Sequence, residues 1–174
     1  MKKNLVIGGV RSGKSRYAEQ TAQEYERQLA LPVVYIATAE AFDDEMKSRI
    51  ERHKHTRPKQ WQTIESGPKL VDSLNAVEEP CIILIDCLTV WLNNCLYYQQ
   101  IDWQEEKQRF LDWLTRTKHT VIMVSNEVGF SITPDNALAR QFADEQGWLN
   151  QDVARIASTV TFTIAGIPHE LKHD

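Results

Sequence analysis

Residues 4–15, NLVIGGVRSGKS, constrain this chain more than any other stretch. A short apolar run enters a glycine-rich turn, and helical spacing starts immediately after it. Tyr17, Ala18, Thr21, Ala22 and Tyr25 fall on one side of a segment over 15–30. Strand, glycine loop and helix in that order open a βα unit of the kind that builds parallel sheets. The loop fits G-x-x-x-x-G-K-[ST], with Gly8, Gly13, Lys14 and Ser15 in the fixed positions and Gly9, Val10, Arg11 and Ser12 completing it. Glycines allow a tight loop whose backbone N–H groups face phosphate oxygens. In such a loop Lys14 reaches the β- and γ-phosphates, and the Ser15 hydroxyl ligates Mg2+. The following helix adds its positive N-terminus to the same anion. A plain glycine turn needs neither the strand before it nor the helix after it, so a nucleotide phosphate site is expected.

The remaining chain repeats the alternation. Val33–Ala37, Cys81–Asp86, Thr120–Ser125 and Thr159–Ala165 read as strands, with a short one at Trp61–Ile64. Asp43 suits the N-cap of a helix over 44–55, because its carboxylate accepts first-turn N–H groups. Further helices are expected at Pro68–Ala76, Leu88–Leu96, 103–117, Asp135–Glu145 and Asn150–Ala157, with a frayed tail over 166–174. Strands without clean alternation are buried on both faces. The expected fold is therefore a doubly wound α/β domain spanning residues 1–174, mostly parallel, with helices on both faces. Its ligands belong at the carboxyl ends of the strands.

Composition narrows the class. Hydrophobic residues make up 42% and charged residues 25% of 174, as in ordinary globular chains. A net charge of −4 argues against a general nucleic-acid binder. No apolar run approaches the ~20 residues of a membrane span, and the N-terminus lacks a signal-peptide pattern. Cys81, Cys87 and Cys95 form no CxxC, and Cys81 and Cys87 border or lie in an apolar run where reduced cysteine packs as a small hydrophobe. A reduced, cytoplasmic protein is expected.

A phosphate loop needs an acid for Mg2+ on a neighbouring strand, and Asp86 ends CIILID. Asp86 could equally cap the helix that follows. Neither DxxG nor NKxD occurs in the places a GTPase switch needs them. The stretch RIERHKHTRP, residues 49–58, sets His53 and His55 among four cations. On a helix, Arg49, His53 and Arg57 would share one face. Neutral imidazole is a competent nucleophile toward phosphorus, and nearby cations disfavour its protonated form. They would also clamp a triphosphate and stabilise departing pyrophosphate. A solvated basic helix face explains the same residues.

Together these segments resemble the bifunctional adenosylcobinamide kinase / adenosylcobinamide-phosphate guanylyltransferase family of cobalamin biosynthesis. The resemblance rests on GGVRSGKSRYAE (8–19), YIATAEAFDDEMKSRIERHK (35–54), RPKQWQTIE (57–65), ILIDCLT (83–89) and VSNEVGFSITPDNALARQFADEQGWLNQ (124–151). It implies a RecA-like P-loop sheet with one antiparallel strand, and a homotrimer. It implies phosphorylation of the aminopropanol hydroxyl of adenosylcobinamide by ATP or GTP. GMP transfer from GTP to adenosylcobinamide phosphate follows, through a guanylylated histidine. The family's RIxxH pattern assigns that role to His53, with His55 the weaker alternative. It places nucleotide contacts at residues 8–15, at Ala37, Thr38 and Ala39, at Lys54, His55, Thr56 and Arg57, and at Glu65 and Asp86. Asp86 stands where relatives often have glutamate, and Phe130-Ser131 where they commonly have glycine.

A single-function P-loop kinase of another hydroxylated substrate would explain residues 8–15 and Asp86 but not the basic cluster. A nucleotide-sensing protein would need a partner surface, and no exposed apolar stripe is legible. Trp91, Trp103, Trp113 and Trp148 read as core, and His119, His169 and His173 as surface or incidental. Asn126 and Glu127 follow a strand in a ligand-facing position, with catalytic, binding and subunit-contact roles all open.

Overall fold

A computed structural model describes residues 1–39, 58–78, 80–97, 101–130, 132 and 134–173. The expected helix over 44–55, and with it His53, Lys54, His55, Thr56 and Arg57, lies outside the described residues.

Among the described residues seven strands form one sheet: β1 (Lys3–Gly8), β2 (Val33–Ala37), β3 (Gln62–Glu65), β4 (Ile82–Asp86), β5 (Thr120–Asn126), β6 (Thr159–Ile164) and β7 (Ile167–His173), in the order β3-β2-β4-β5-β1-β6-β7. Every pair is parallel except β6–β7. The described helices are α1 (Lys14–Leu29), α2 (Leu70–Asn75), α3 (Leu88–Tyr97), α4 (Trp103–Arg116) and α5 (Ala137–Ile156).

Continuous apolar strands follow from burial on both faces. Leu5, Ile7, Val34, Ile36, Ile83, Ile85, Val121 and Met123 enter one core with Leu70, Trp91, Phe110, Leu149 and Val153 from α2, α3, α4 and α5. Their neighbours Val6, Val33, Tyr35, Ile82, Leu84, Ile122 and Val124 enter a second core with Ala18 and Ala22 of α1. The small Ala18 and Ala22 face the sheet while Tyr17 and Tyr25 pack alongside.

Three expectations need correction. Residues 135–157 do not form two helices: α5 is continuous through Gly147. Interior glycine costs about 1 kcal/mol against alanine. Burial of Leu149 and Val153, with side-chain bonds from Glu145, Gln146 and Asn150 on the same helix, offsets that cost. The supposed frayed tail is strand β7. Ala165 (φ 52) and Gly166 (φ 79) close a two-residue hairpin, the left-handed pair that matches strand twist. Lys172 Nζ then reaches the carbonyls of Ala157 (2.6 Å) and Ala154 (3.3 Å), which are unpaired at the end of α5. His119 is buried, not superficial: its Nδ1 lies 3.2 Å from Cys81 Sγ and its ring stacks on Trp113. Trp91 and Trp103 are core and Trp113 packs against it, whereas Trp148 is 52% exposed.

Candidate functional site

The carboxyl ends of the parallel strands gather the site. Residues 9–13 leave β1, and Lys14 begins α1. Gly13 takes φ 94, a left-handed conformation that L side chains rarely adopt, and a Cβ there would also sit 3.0 Å from Gly166 Cα. Gly8 is small for a different reason. Its Cβ would lie 2.4 Å from both Ser12 Oγ and Thr163 Oγ1, and 2.7 Å from the Thr163 carbonyl. Val10 and Arg11 are exposed on the crest, and Ser12 is buried beneath it. Lys14 Nζ donates to the Gly9 carbonyl at 3.0 Å, which curls the side chain over its own loop. Burial lowers the Lys14 pKa, and the nearby Asp86 carboxylate acts in the opposite direction. Lys14 and Asp86 both stand at the carboxyl ends of the parallel strands.

The strand order corrects one premise. Asp86 is not on the strand next to β1, because β5 runs between them. Tyr35 donates its hydroxyl proton to Asp86 Oδ2 at 2.8 Å, fixing the carboxylate from β2. Asp86 does not begin α3 either; the Cys87 carbonyl accepts the first-turn bond from Trp91 N. Burial pushes the Cys87 thiol up to about 12, aided by the Asp86 charge, so this thiol is neutral at ordinary pH.

Thr38 is fully buried, and its groups are committed internally. Its hydroxyl donates to the Cys87 carbonyl and accepts from Cys87 N, both at 2.8 Å. Thr38 N donates to the Asp86 carbonyl, and the Thr38 carbonyl accepts from Asn94 Nδ2. Thr38 thus clasps the ends of β2 and β4. Ala37 is buried, Ala39 is half-buried, and Glu65 is exposed at the end of β3 in register with Ala37.

Between β1 and β4 stands a polar network that sequence patterns had not revealed. Ser125 donates to Asn150 Oδ1 at 2.6 Å and accepts from Gln146 Nε2 at 2.9 Å. Asn150 Nδ2 donates to the Asn126 carbonyl, and Asn126 N donates to Thr89 Oγ1. Glu127 N donates to the Gly8 carbonyl, tying the end of β5 to the start of the phosphate loop. Connected buried polar groups stiffen the backbone that carries them, although Asn126 Oδ1 and Gln146 Oε1 are left without partners among the described residues. The sequence signal was SNE after an apolar strand, but its partners lie about twenty to forty residues away.

Ser15 and Asp86 provide hydroxyl and carboxylate oxygens, the hard donors Mg2+ prefers. No group of three His, Cys, Asp or Glu capable of holding a metal occurs among the described residues. Few protein ligands plus substrate phosphates is the arrangement typical of Mg2+, so the residues fit that ion.

Comparison with known proteins points to one family and one fold. The family model for cobinamide kinase / cobinamide phosphate guanyltransferase matches residues 4–171. A Pseudomonas aeruginosa protein named bifunctional adenosylcobalamin biosynthesis protein CobP is 42% identical, covering 98% of this chain and 97% of that one. The Escherichia coli K12 and Salmonella typhimurium LT2 proteins named CobU are 36% and 37% identical, each covering 97% of this chain and 98% of theirs. A solved chain from Pyrococcus horikoshii OT3 shares the fold, with TM-score 0.52 at 10% identity over 99% of this chain and 86% of that one.

Proposed function

Because the chain belongs to the cobinamide kinase / cobinamide phosphate guanyltransferase family, we propose that its phosphate loop and its RIERH segment serve two successive phosphorus transfers. The protein is a bifunctional enzyme of cobalamin biosynthesis. It phosphorylates the aminopropanol hydroxyl of adenosylcobinamide, then converts the phosphate to adenosylcobinamide-GDP.

In the first reaction the corrinoid hydroxyl attacks the γ-phosphorus of ATP or GTP. Lys14 exchanges its bond to the Gly9 carbonyl for phosphate oxygens, and backbone N–H groups of residues 9–15 hold the chain of phosphates in line. Mg2+, held by Ser15 and Asp86, would supply charge neutralisation on the phosphates. Tyr35 keeps Asp86 oriented for that task. In the second reaction an imidazole nitrogen of His53 attacks the α-phosphorus of GTP, and pyrophosphate leaves. A phosphate oxygen of adenosylcobinamide phosphate then displaces His53 from phosphorus. Splitting one transfer into two displacements is the ordinary benefit of a covalent intermediate. Lys54, Thr56 and Arg57 bind the triphosphate, with His55 beside them, and Ala37, Ala39 and Glu65 line the nucleoside side.

The observation that carries this reading is the placement of the loop of residues 8–15 and Asp86 at the carboxyl ends of the parallel strands. We assign the protein to the cytoplasm as one domain; its three cysteines are buried and form no disulfide. No described helix is long and apolar enough to cross a membrane. We propose a homotrimer from the family likeness; the exposure of Phe130 (85%), Ile132 (93%), Ile164 and Ile167 supports a contact between copies without fixing their number. Light scattering tests it. Mass spectrometry after GTP and Mg2+ tests the histidine: a GMP adduct on His53 is expected, and its absence from active protein would refute the role. His53→Asn should abolish GMP transfer and spare phosphorylation of adenosylcobinamide.

A further inference from the structure

Thr163 and Gly166, in β6 and the hairpin turn that follows it, touch the phosphate loop from the side away from β5. Thr163 is buried, and its hydroxyl donates to the Ile7 carbonyl at 3.3 Å. With that proton so used, Thr163 Oγ1 accepts from the Ser12 hydroxyl, 2.9 Å away. Gly166 N donates to the Ser12 carbonyl at 2.9 Å. Ser12 is thus held at both ends by one hairpin. The residue before it, Arg11, sits at φ 55, and the residue after it, Gly13, at φ 94. A non-glycine residue in the left-handed region is strained and persists only where its surroundings hold it. The close approach of Gly13 to Gly166 shows that the hairpin turn also limits where the loop can lie.

We propose that Thr163 and Gly166 are positioning residues of the nucleotide site, holding the phosphate loop in its binding shape through Ser12. The inference rests on the nucleotide reading of residues 8–15. Neither residue touches the nucleotide. Their contribution is preorganisation: the loop need not be ordered when phosphate arrives, so less affinity is lost to ordering. Ser12 accordingly faces inward to the hairpin, while its neighbours supply N–H groups.

The test is GDP affinity by calorimetry in wild type, Thr163→Val, Thr163→Ser and Ser12→Ala. One hydrogen bond of this kind corresponds to about fivefold in affinity. Thr163→Val should weaken GDP at least that much, and Thr163→Ser, which keeps the hydroxyl, should restore it to within twofold. Adding Thr163→Val to Ser12→Ala should change affinity less than twofold, because the bond is already gone. A merely structural residue would lower the melting temperature without altering GDP affinity of the folded protein. Unchanged affinity in Thr163→Val, failure of Thr163→Ser to restore it, or full additivity in the double variant would overturn the proposal. If Thr163→Val does not fold, Ser12→Ala removes the same bond from the loop side and carries the same expectation. Wild type that binds no GDP would instead overturn the nucleotide reading itself, and this inference with it.

Discussion

Gly8→Ala and Gly9→Ala should behave oppositely although the two positions are adjacent. A methyl at Gly8 meets Ser12 Oγ and Thr163 Oγ1 at 2.4 Å and the Thr163 carbonyl at 2.7 Å, so atoms must move. One of them is backbone of β6, a strand paired on both sides, and the two hydroxyls bond each other. Overpacking of this kind costs about 1–3 kcal/mol. Separating the hydroxyls leaves buried polar groups unpaired, adding about 1–3 kcal/mol. A total of about 2–6 kcal/mol is a large share of a typical 5–15 kcal/mol stability. With a urea slope of about 2 kcal/mol/M, the midpoint should fall by about 1–3 M. A methyl at Gly9 meets nothing within 4 Å, and Gly9 does not take positive φ. Its stability should hold or rise by up to about 1 kcal/mol, because alanine has less freedom to lose on folding. Urea unfolding followed by far-UV circular dichroism, without nucleotide, measures both. Equal midpoint shifts would refute the packing argument and return Gly8 to a generic loop glycine.

Tyr35→Phe removes the bond to Asp86 and should cost about 1 kcal/mol in thermal unfolding, with a raised KM for Mg-nucleotide in both reactions. Lys14→Met should abolish phosphoryl transfer yet equal or exceed wild type in nucleotide-free stability at neutral pH. Burial lowers the Lys14 pKa, so the unfolded chain binds the proton more tightly. The destabilisation from Lys14 is full below its folded pKa and fades as pH rises through that value toward 10.5; paired denaturation curves should converge there. Ala165→Asn, at φ 52, should raise the melting temperature by a few degrees, since asparagine tolerates the left-handed region at about 1 kcal/mol less strain.

The sequence disclosed β1, its loop and α1 because that signal is local: glycines, a lysine and a serine at fixed spacing beside an apolar run. It disclosed β2, β4 and β5 because strands buried on both faces are continuous in apolar residues. It concealed β7, whose exposed side chains alternate with nothing and whose turn is Ala-Gly rather than Asn-Gly. It concealed the placement of β5 between β1 and β4, since strand order is a property of the whole sheet. The same holds for Thr38, whose position after a strand suggested ligand contact while its bonds run to Cys87 and Asn94. His119 misled for a simpler reason: Cys81, its partner, lies 38 residues earlier.

Among the described strands the sheet ends in two edges, β3 and β7, and neither is built to recruit another molecule's strand. β3 has four residues. β7 carries Pro168, which lacks an N–H, and Lys172, and its pairing with β6 slips at Val160/Thr161. Edges of this design discourage ladder growth between molecules. The apolar residues left outside, Ile164, Ile167 and Leu171, are side-chain surface instead. Copies of this chain that meet there would associate through side-chain packing rather than by extending the hydrogen-bonded ladder from one molecule to the next.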